Sequence, residues 1–347
     1  MSVNFSHLQM DQIVVHRVGN KHRAERNFIS STFFEPDEML SESLQNFFLK
    51  PLKRPESVYH FQHESDLAQN ELYSYAQTIF ENPENLLSES VNILQHLYRQ
   101  SDHPNIKSGE LFVVYFQEIL YEDELVEGLG IFKSEQKHGF FQVAESGDQL
   151  LLNQQEGIQI DKLDKACLIL NTSQADGFRV LSADNNQYDA SYWLFKFLNV
   201  DFVRNETYHT RAYLEMCNDF SKEVIIPTQD KKEQMKFLSD SVDYFANHEE
   251  FNFQQFTEEV MPNEEMVNEF RNFTQDYGTE ESATFTISKP AIQQAKRKFG
   301  NTIKLDTNIQ IRLDFNKPES SRRFIEKGYD EERNMHYYKV YFNEEME

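Results

Sequence analysis

ELFVVYFQEILYEDELVEGLGIFKSEQKHGFFQV, residues 110–143, contains three apolar runs separated by polar, turn-like residues. Short apolar runs bounded by turn signals are typical of buried strands. The stretch therefore predicts a β-meander. Further strands are expected at residues 157–160, 165–170 and 178–181, where apolar, β-branched runs recur.

Two strands and three helices are expected before the meander. Residues 12–18 and 28–34 are apolar and flank a polar turn, which predicts a β-hairpin. Apolar residues then recur at helical spacing up to Pro51, which closes the first helix. Ser65 is the expected N-cap of the second helix, and Pro83 opens the third.

Helices predominate after the meander. Residues 188–276 are acidic and rich in aromatic residues, with apolar positions at helical spacing. Ser288 and Gly300 are suited to the two ends of a further helix, 289–299. In residues 303–315 the apolar side chains fall on alternate positions, which predicts a half-buried sheet.

The predicted fold class is α+β: a mixed N-terminal region of strands and helices, a β-meander, an acidic helical block and a small C-terminal strand-helix-strand region. We expect an N-terminal α+β domain at 1–187, an acidic helical region at 188–281 and a basic C-terminal α+β region at 282–347. The length of 347 residues suits about two domains. With 30 Phe and 16 Tyr, aromatic rings are expected to carry much of the core rather than to stack on bases.

Charge is distributed unevenly along the chain. The net charge is −24, which argues against binding of a polyanion by the chain as a whole. Between Phe285 and Phe342, however, 12 Lys and Arg stand against 7 Asp and Glu. This change of sign suggests that the C-terminal region has a separate role.

Clustered cations make phosphate binding the leading hypothesis for that region, although three cations in the last turn of a helix also complement its dipole. Hairpin-tip charge is likewise a common surface feature. The candidate phosphate-binding residues are Lys289, Lys296, Arg297 and Lys298 of the expected helix, Lys304, Arg312, Arg322, Arg323 and Lys327 downstream, and Arg17, Lys21, Arg23 and Arg26 of the N-terminal hairpin.

No catalytic, metal or cofactor site is expected. Cys167 and Cys217 lie fifty positions apart, without a CxxC pair. His60 and His63 share a face only if that stretch is helical, and Glu135-Gln-Lys137 is only a faint match to carboxylate-lysine nuclease sites. The chain has 11 Gly and contains neither GxSxG, GxxxxGK[ST] nor GxGxxG. We expect a protein without enzymatic activity.

The N-terminus, MSVNFSHLQMDQ, has no basic and apolar stretch of the kind found in signal peptides. The longest uninterrupted apolar run, LFVVYF at 111–116, is too short to span a bilayer. We expect a cytosolic protein that does not associate with membranes.

Several segments together resemble one known family. They are LQMDQIVVHRVGNK (8–21), FQHESDLAQNELYSYAQTIF (61–80), SGELFVVYF (108–116), IKLDTNIQIR (303–312) and KGYDEERNMHYYKVYFNEE (327–345). In this order they resemble the bacterial nucleoid-associated proteins of the NdpA/YejK type. The resemblance implies a protein found with the bacterial chromosome that binds double-stranded DNA, with no established enzymatic residues to transfer.

Two function classes follow. The first is a nucleoid-associated protein that binds duplex DNA, largely without sequence specificity, through a basic C-terminal face. The second is an acidic interaction module or DNA mimic that binds a basic chromosome-associated protein. Its best candidates are six glutamates of the acidic block, namely Glu249, Glu250, Glu258, Glu259, Glu264 and Glu265.

Overall fold

The computed structural model describes residues 3–53, 55, 57–185, 192–228, 231–277, 284–299, 302–312 and 325–344. The chain divides into two compact units, residues 1–203 and 204–347. This division differs from the three expected regions. Trp193 and Phe197 are buried in the core of the first unit, so that unit extends past residue 187. Ile292 is buried in the same core as the preceding helices, so the helix that carries it is not separate from them.

An antiparallel sheet of eight strands forms the centre of the first unit, in the order β1-β4-β5-β8-β9-β3-β10, with β2 also paired to β4. The strands of this unit are β1 Val3–Asn4, β2 Gln9–Val18, β3 Val58–Phe61, β4 Gly109–Tyr121, β5 Glu124–Ser134, β6 Lys137–Ser146, β7 Gln149–Ile158, β8 Lys165–Leu170, β9 Arg179–Asp184 and β10 Val200–Phe202. Glu122 and Asp123 join β4 to β5, and both have positive φ, as a type I′ hairpin turn requires.

The third run of the expected meander lies outside this sheet. β6 pairs only with β7 in a separate hairpin, and β8 occupies the place beside β5. The β8 side chains are all buried, whereas those of β6 are nearly all exposed. The sheet therefore accepts the strand that can bury both of its faces.

Helices cover both faces of the sheet, giving three layers. The helices of the first unit are α1 Glu38–Leu49, α2 Glu71–Glu81, α3 Leu86–Gln100 and a π-helix at Tyr192–Leu198. α1 packs on one face, where the ring of Phe48 stacks on Phe132 with centroids 4.4 Å apart. α2, α3 and the π-helix bury their apolar residues on the other face.

Two local predictions for the first unit are wrong. Residues 28–34 form no strand, and only an isolated bridge joins Phe28 to Arg17. Ser65 does not cap a helix, because α2 begins at Glu71 with Asn70 as its N-cap. The Asn70 amide also donates to the carbonyls of Gln62 and Asn199, and these nonlocal bonds fix the start of the helix.

The second unit is built around an aromatic core. Its helices are α4 Glu206–Phe220, a π-helix at Ser221–Ile225, α5 Ile226–Thr228, α6 Lys231–Asn247, α7 Phe253–Val260, α8 Glu264–Asp276 and α9 Lys289–Lys298. Its strands are β11 Glu250–Asn252, β12 Thr284–Thr286, β13 Thr302–Lys304, β14 Gln310–Arg312, β15 Ile325–Asp330 and β16 Met335–Val340. Phe245, Phe251 and Phe256 are fully buried in the core, as packing residues.

Candidate nucleic-acid interface

α9 carries the most compact group of candidate cations. Its apolar residues Ala291, Ile292 and Ala295 are buried against the core of the second unit. Residues four apart in a helix lie on one face, so Lys289, Gln293 and Arg297 form a row on the opposite, exposed face. At 1.5 Å per residue this row is about 12 Å long.

The start of α9 is tied to α4. The Ser288 backbone N–H donates to Thr210 Oγ1 at 3.0 Å, and the Ser288 hydroxyl lies 2.9 Å from Thr207 Oγ1. Ser288 is the N-cap residue, as expected from the sequence, but its side chain makes no capping hydrogen bond. Gly300, the expected C-terminal residue, lies outside the described residues. The bonds to α4 fix the direction in which the exposed row points within the second unit.

The α9 cations are not neutralised by nearby carboxylates within the described part of the chain. Lys289 and Arg297 are exposed and Lys296 is half-buried. α9 itself, KPAIQQAKRK, contains no acidic residue. Among the described residues, no carboxylate oxygen lies within 4.0 Å of these three cationic groups. With respect to the described residues, the row therefore presents positive charge to solvent, in a chain whose net charge is −24.

The two-stranded sheet after α9 brings one further exposed cation. Ile303 lies opposite Ile311 in register, and Ile311 packs against the aromatic core. Arg312 is paired with Thr302 and is exposed. Lys304 is paired with Gln310. The side chains of Lys298 and Lys304, and the whole of Arg322 and Arg323, lie outside the described residues.

The β15–β16 hairpin holds its cations in local contacts. Lys327 is exposed and lies opposite Tyr338. Lys339 lies 5.0 Å from the centre of the Tyr341 ring. Arg333 Nε lies 3.8 Å from a carboxylate oxygen of Asp330, three residues before it. Residues 325–340 contain four acidic side chains against three basic ones, so this hairpin adds no net positive charge.

The N-terminal candidates contact carboxylates within the first unit. Arg17 pairs with Glu110 at 3.1 Å, Lys21 with Asp102 at 3.2 Å, and Arg23 with Glu25 at 2.7 Å. The fourth candidate, Arg26, is exposed. The segment is a loop after β2 rather than the turn of a hairpin, and its charge is largely balanced locally.

The six candidate glutamates of the acidic block are all exposed. Two of them, Glu258 and Glu264, line a groove of about 620 Å³ between α7 and α8. Met261 and Val267 contribute apolar surface to the same groove. The lining also includes Arg271, so two carboxylates stand against one guanidinium. Because the net charge of the lining is negative and part of it is apolar, the groove suits an amphipathic, basic ligand.

A buried charged cluster in the first unit is not apparent from the sequence motifs. Lys133 on β5 donates to Glu135 Oε1 and to the Lys107 carbonyl, both at 2.7 Å. Lys165 on β8 donates to Asp184 on β9 at 2.8 Å. Burial lowers the pKa of Lys133, and the Glu135 carboxylate opposes this shift. In the sequence, Lys133 lies two positions after Ile131, and Lys165 lies two positions before Cys167. Alternate residues of a strand lie on the same face, so this spacing places each lysine on the face of a buried apolar residue.

The two charged residues of the nuclease-like match, Glu135 and Lys137, contact different partners. Glu135 pairs with Lys133, whereas Lys137 lies 3.1 Å from Glu110. His60 lies on β3 and His63 follows that strand, so the two imidazoles are not one helical turn apart. Among the described residues, no three His, Cys, Asp or Glu side chains form a group suited to a metal ion.

No described helix is both long enough and apolar enough to cross a membrane. A sequence model of the family described as nucleoid-associated protein YejK matches residues 14–336. A search of curated proteins found no match. The matched range includes parts of both compact units and all of the candidate cations.

Proposed function

Because the chain belongs to the family of nucleoid-associated protein YejK, we propose that it binds double-stranded DNA through the exposed row of α9. The contacts are to phosphates, so binding is largely independent of sequence. The protein acts at the bacterial nucleoid, and it binds DNA without cleaving it.

The supporting observation is the α9 row of Lys289, Gln293 and Arg297, with Lys296 at its margin. These cations have no carboxylate within 4.0 Å among the described residues, in contrast to Arg17, Lys21 and Arg23. A row of about 12 Å spans roughly three to four base pairs at 3.4 Å per step. It therefore suits about three phosphate contacts.

A small number of contacts is compatible with an acidic protein. At physiological salt the Debye length is about 8 Å. Exposed glutamates farther than this from the DNA repel it only weakly, and they also limit adhesion of the rest of the surface. We therefore expect modest affinity that depends on salt.

The test compares two triple variants of the full chain. Lys289→Gln/Lys296→Gln/Arg297→Gln removes the α9 cations, and Arg17→Gln/Lys21→Gln/Arg23→Gln removes the same charge from the N-terminal group. Each phosphate contact contributes about eightfold to affinity at 0.1 M salt, so the α9 variant should lose measurable binding to a fluorescent duplex. The N-terminal variant should change affinity by less than about threefold. Equal losses would contradict the assignment to α9.

The full chain is required because α9 buries Ile292 and Ala295 in a core supplied by earlier helices. Supercoiled plasmid incubated with the protein and Mg²⁺ should remain intact. Cleavage that requires Mg²⁺ and is abolished by a chelator would instead identify a nuclease.

The second candidate function rests on the groove between α7 and α8. Its lining includes Glu258 and Glu264 against one cation, Arg271, together with the apolar side chains of Met261 and Val267. A basic, amphipathic segment of a chromosome-associated protein has the matching charge and apolar surface. Calorimetric titration with a Lys- and Leu-rich helical peptide tests this. Glu258→Gln/Glu264→Gln should weaken peptide binding and leave DNA binding unchanged or stronger, whereas equal peptide binding would exclude the groove.

A further inference from the structure

The β6–β7 hairpin forms a long arm outside the eight-stranded sheet. Each strand has ten residues, so the arm is about 34 Å long. Gly147, with φ of +65°, begins the two-residue turn at its tip. The arm has no partner strand on either outer edge among the described residues. Isolated two-stranded hairpins are marginally stable in water.

One face of the arm is apolar and exposed. Alternation along the strands places Phe141, Val143, Leu150 and Leu152 on the same face, which we call the Phe141 face. Their exposed fractions are 73%, 59%, 69% and 68%. Contiguous exposed apolar residues of this kind usually mark an interaction site.

The charges of the arm favour a protein partner over DNA. Glu145, Asp148 and Glu156 are exposed, and the arm contains only one lysine and no arginine. That lysine, Lys137, is at the base and lies 3.1 Å from Glu110. Phosphates would therefore meet carboxylates both at the tip, Glu145 and Asp148, and near the base, Glu156.

The charged ends of the Phe141 face complement each other when two arms are antiparallel. Consider a two-fold axis that lies between the two packed faces, runs perpendicular to the strands and passes over the Phe141–Gln154 pair. The tip of each arm then lies over the base of the other. Lys137 at the base is four residues from Phe141 in one direction, and Glu145 at the tip is four residues away in the other. The axis therefore brings Lys137 of one copy, which also lies 3.1 Å from Glu110 of its own chain, over Glu145 of the second copy.

The apolar residues also match in this arrangement. Phe141 lies over Phe141 of the second copy at the axis. Val143 lies over Gly139, which has no side chain to obstruct it. Leu152 lies over Glu156, whose methylene groups can cover it while the carboxylate stays at the edge. A two-fold interface must be self-complementary in this way.

We propose that the β6–β7 arm is a dimerisation element, in which the Phe141 faces of two copies pack together with opposite directions. Burying four large apolar side chains removes roughly 400 Å² of surface from each copy. With the adjoining backbone and polar residues, the interface reaches about 1,200 Å², the lower end of specific interfaces. The dimer is therefore expected to dissociate in the micromolar range.

Sedimentation velocity of the full chain from about 1 to about 100 μM tests the proposal, because this range brackets micromolar dissociation. The native chain should show a monomer–dimer equilibrium, and Phe141→Ser/Leu152→Ser should remain monomeric. The matched control is Leu151→Ser, because Leu151 is exposed on the opposite face between two residues of the Phe141 face. It should leave the dimer unchanged. A native chain that is monomeric at the highest concentration, or equal loss of the dimer in the control, would overturn the proposal.

Charge exchange provides a second criterion that does not depend on apolar residues. Glu145→Lys places two lysines opposite each other and should weaken dimerisation about tenfold. Lys137→Glu/Glu145→Lys restores opposite charges between the copies and should recover part of the loss, because the new carboxylate at position 137 also repels Glu110 of its own chain. If neither variant changes the dissociation constant of the dimer, the two arms do not have the proposed antiparallel arrangement. Fluorescence of Trp193, which is buried in the first unit, checks that each variant is folded.

Discussion

Replacing Lys133 by methionine should strongly destabilise the first unit. The Lys133 side chain is fully buried and its partner Glu135 is 5% exposed. The methionine side chain would leave that carboxylate buried without its cation, and the hydrogen bond to the Lys107 carbonyl would also be lost. Breaking one side of a buried pair costs about 3–5 kcal/mol. With a urea dependence of about 2 kcal/mol per molar, the unfolding midpoint should fall by about 2 M.

Tryptophan fluorescence during urea unfolding measures this change in one unit of the protein. The chain has 1 Trp, Trp193, which is buried in the core of the first unit. Its signal therefore follows that unit without contribution from the second. The control is Lys50→Met, which removes the exposed pair with Asp161 at 3.5 Å and should cost less than about 1 kcal/mol.

A double variant separates the effect of leaving a buried charge unpaired from the effect of the change in packing. Lys133→Met/Glu135→Leu removes both charges and should return the free energy of unfolding to within about 1–2 kcal/mol of the native value, because well-packed apolar replacements of buried pairs are often neutral. If Lys133→Met shifts the midpoint no more than Lys50→Met, the reasoning about the buried pair is refuted.

Stability should also depend on pH and on backbone geometry. Burial lowers the pKa of His16 and of His96 from 6.5, so the first unit should be fully stabilised above about pH 6.5 and lose stability as the pH falls below it. His16→Gln should reduce the difference in urea midpoint between about pH 7.5 and about pH 5.5, and an unchanged difference would contradict the assignment. Gly177 has φ of +88°, and an added Cβ would lie 2.2 Å from the Phe61 carbonyl oxygen, whereas Gly147 at φ of +65° has open space around it. Gly177→Ala should therefore lower the thermal midpoint clearly more than Gly147→Ala does, and equal midpoints would be inconsistent with this geometry.

Helices could be predicted from the sequence where their ends and buried faces are set by residues close together in the chain. α1 begins after Asp37, whose carboxylate accepts from the Leu40 backbone N–H at 2.8 Å, and its apolar spacing predicts the rest. α9 is likewise predicted by Pro290 and by the apolar positions Ile292 and Ala295. The α+β class follows from the same patterns.

Nonlocal pairing explains most of what could not be predicted. Asn70 rather than Ser65 starts α2 because its side chain meets the Asn199 carbonyl, 129 residues away in sequence. The pairing of β5 with β8 depends on which strand can be buried on both faces. The sequence shows where cations cluster, but it does not show which carboxylates lie beside them in the fold. Glu110, which pairs with Arg17, is 93 residues distant.

The salt dependence of duplex DNA binding tests the central claim most directly. We predict that log K for the full chain falls against log salt with a slope of about −2.7, and that each of Lys289→Gln, Lys296→Gln and Arg297→Gln brings the slope closer to zero by about 0.9. Between about 50 and about 200 mM salt, the native affinity should therefore fall about 40-fold. A slope that stays the same when all three cations are removed would show that DNA is bound elsewhere or not through these residues.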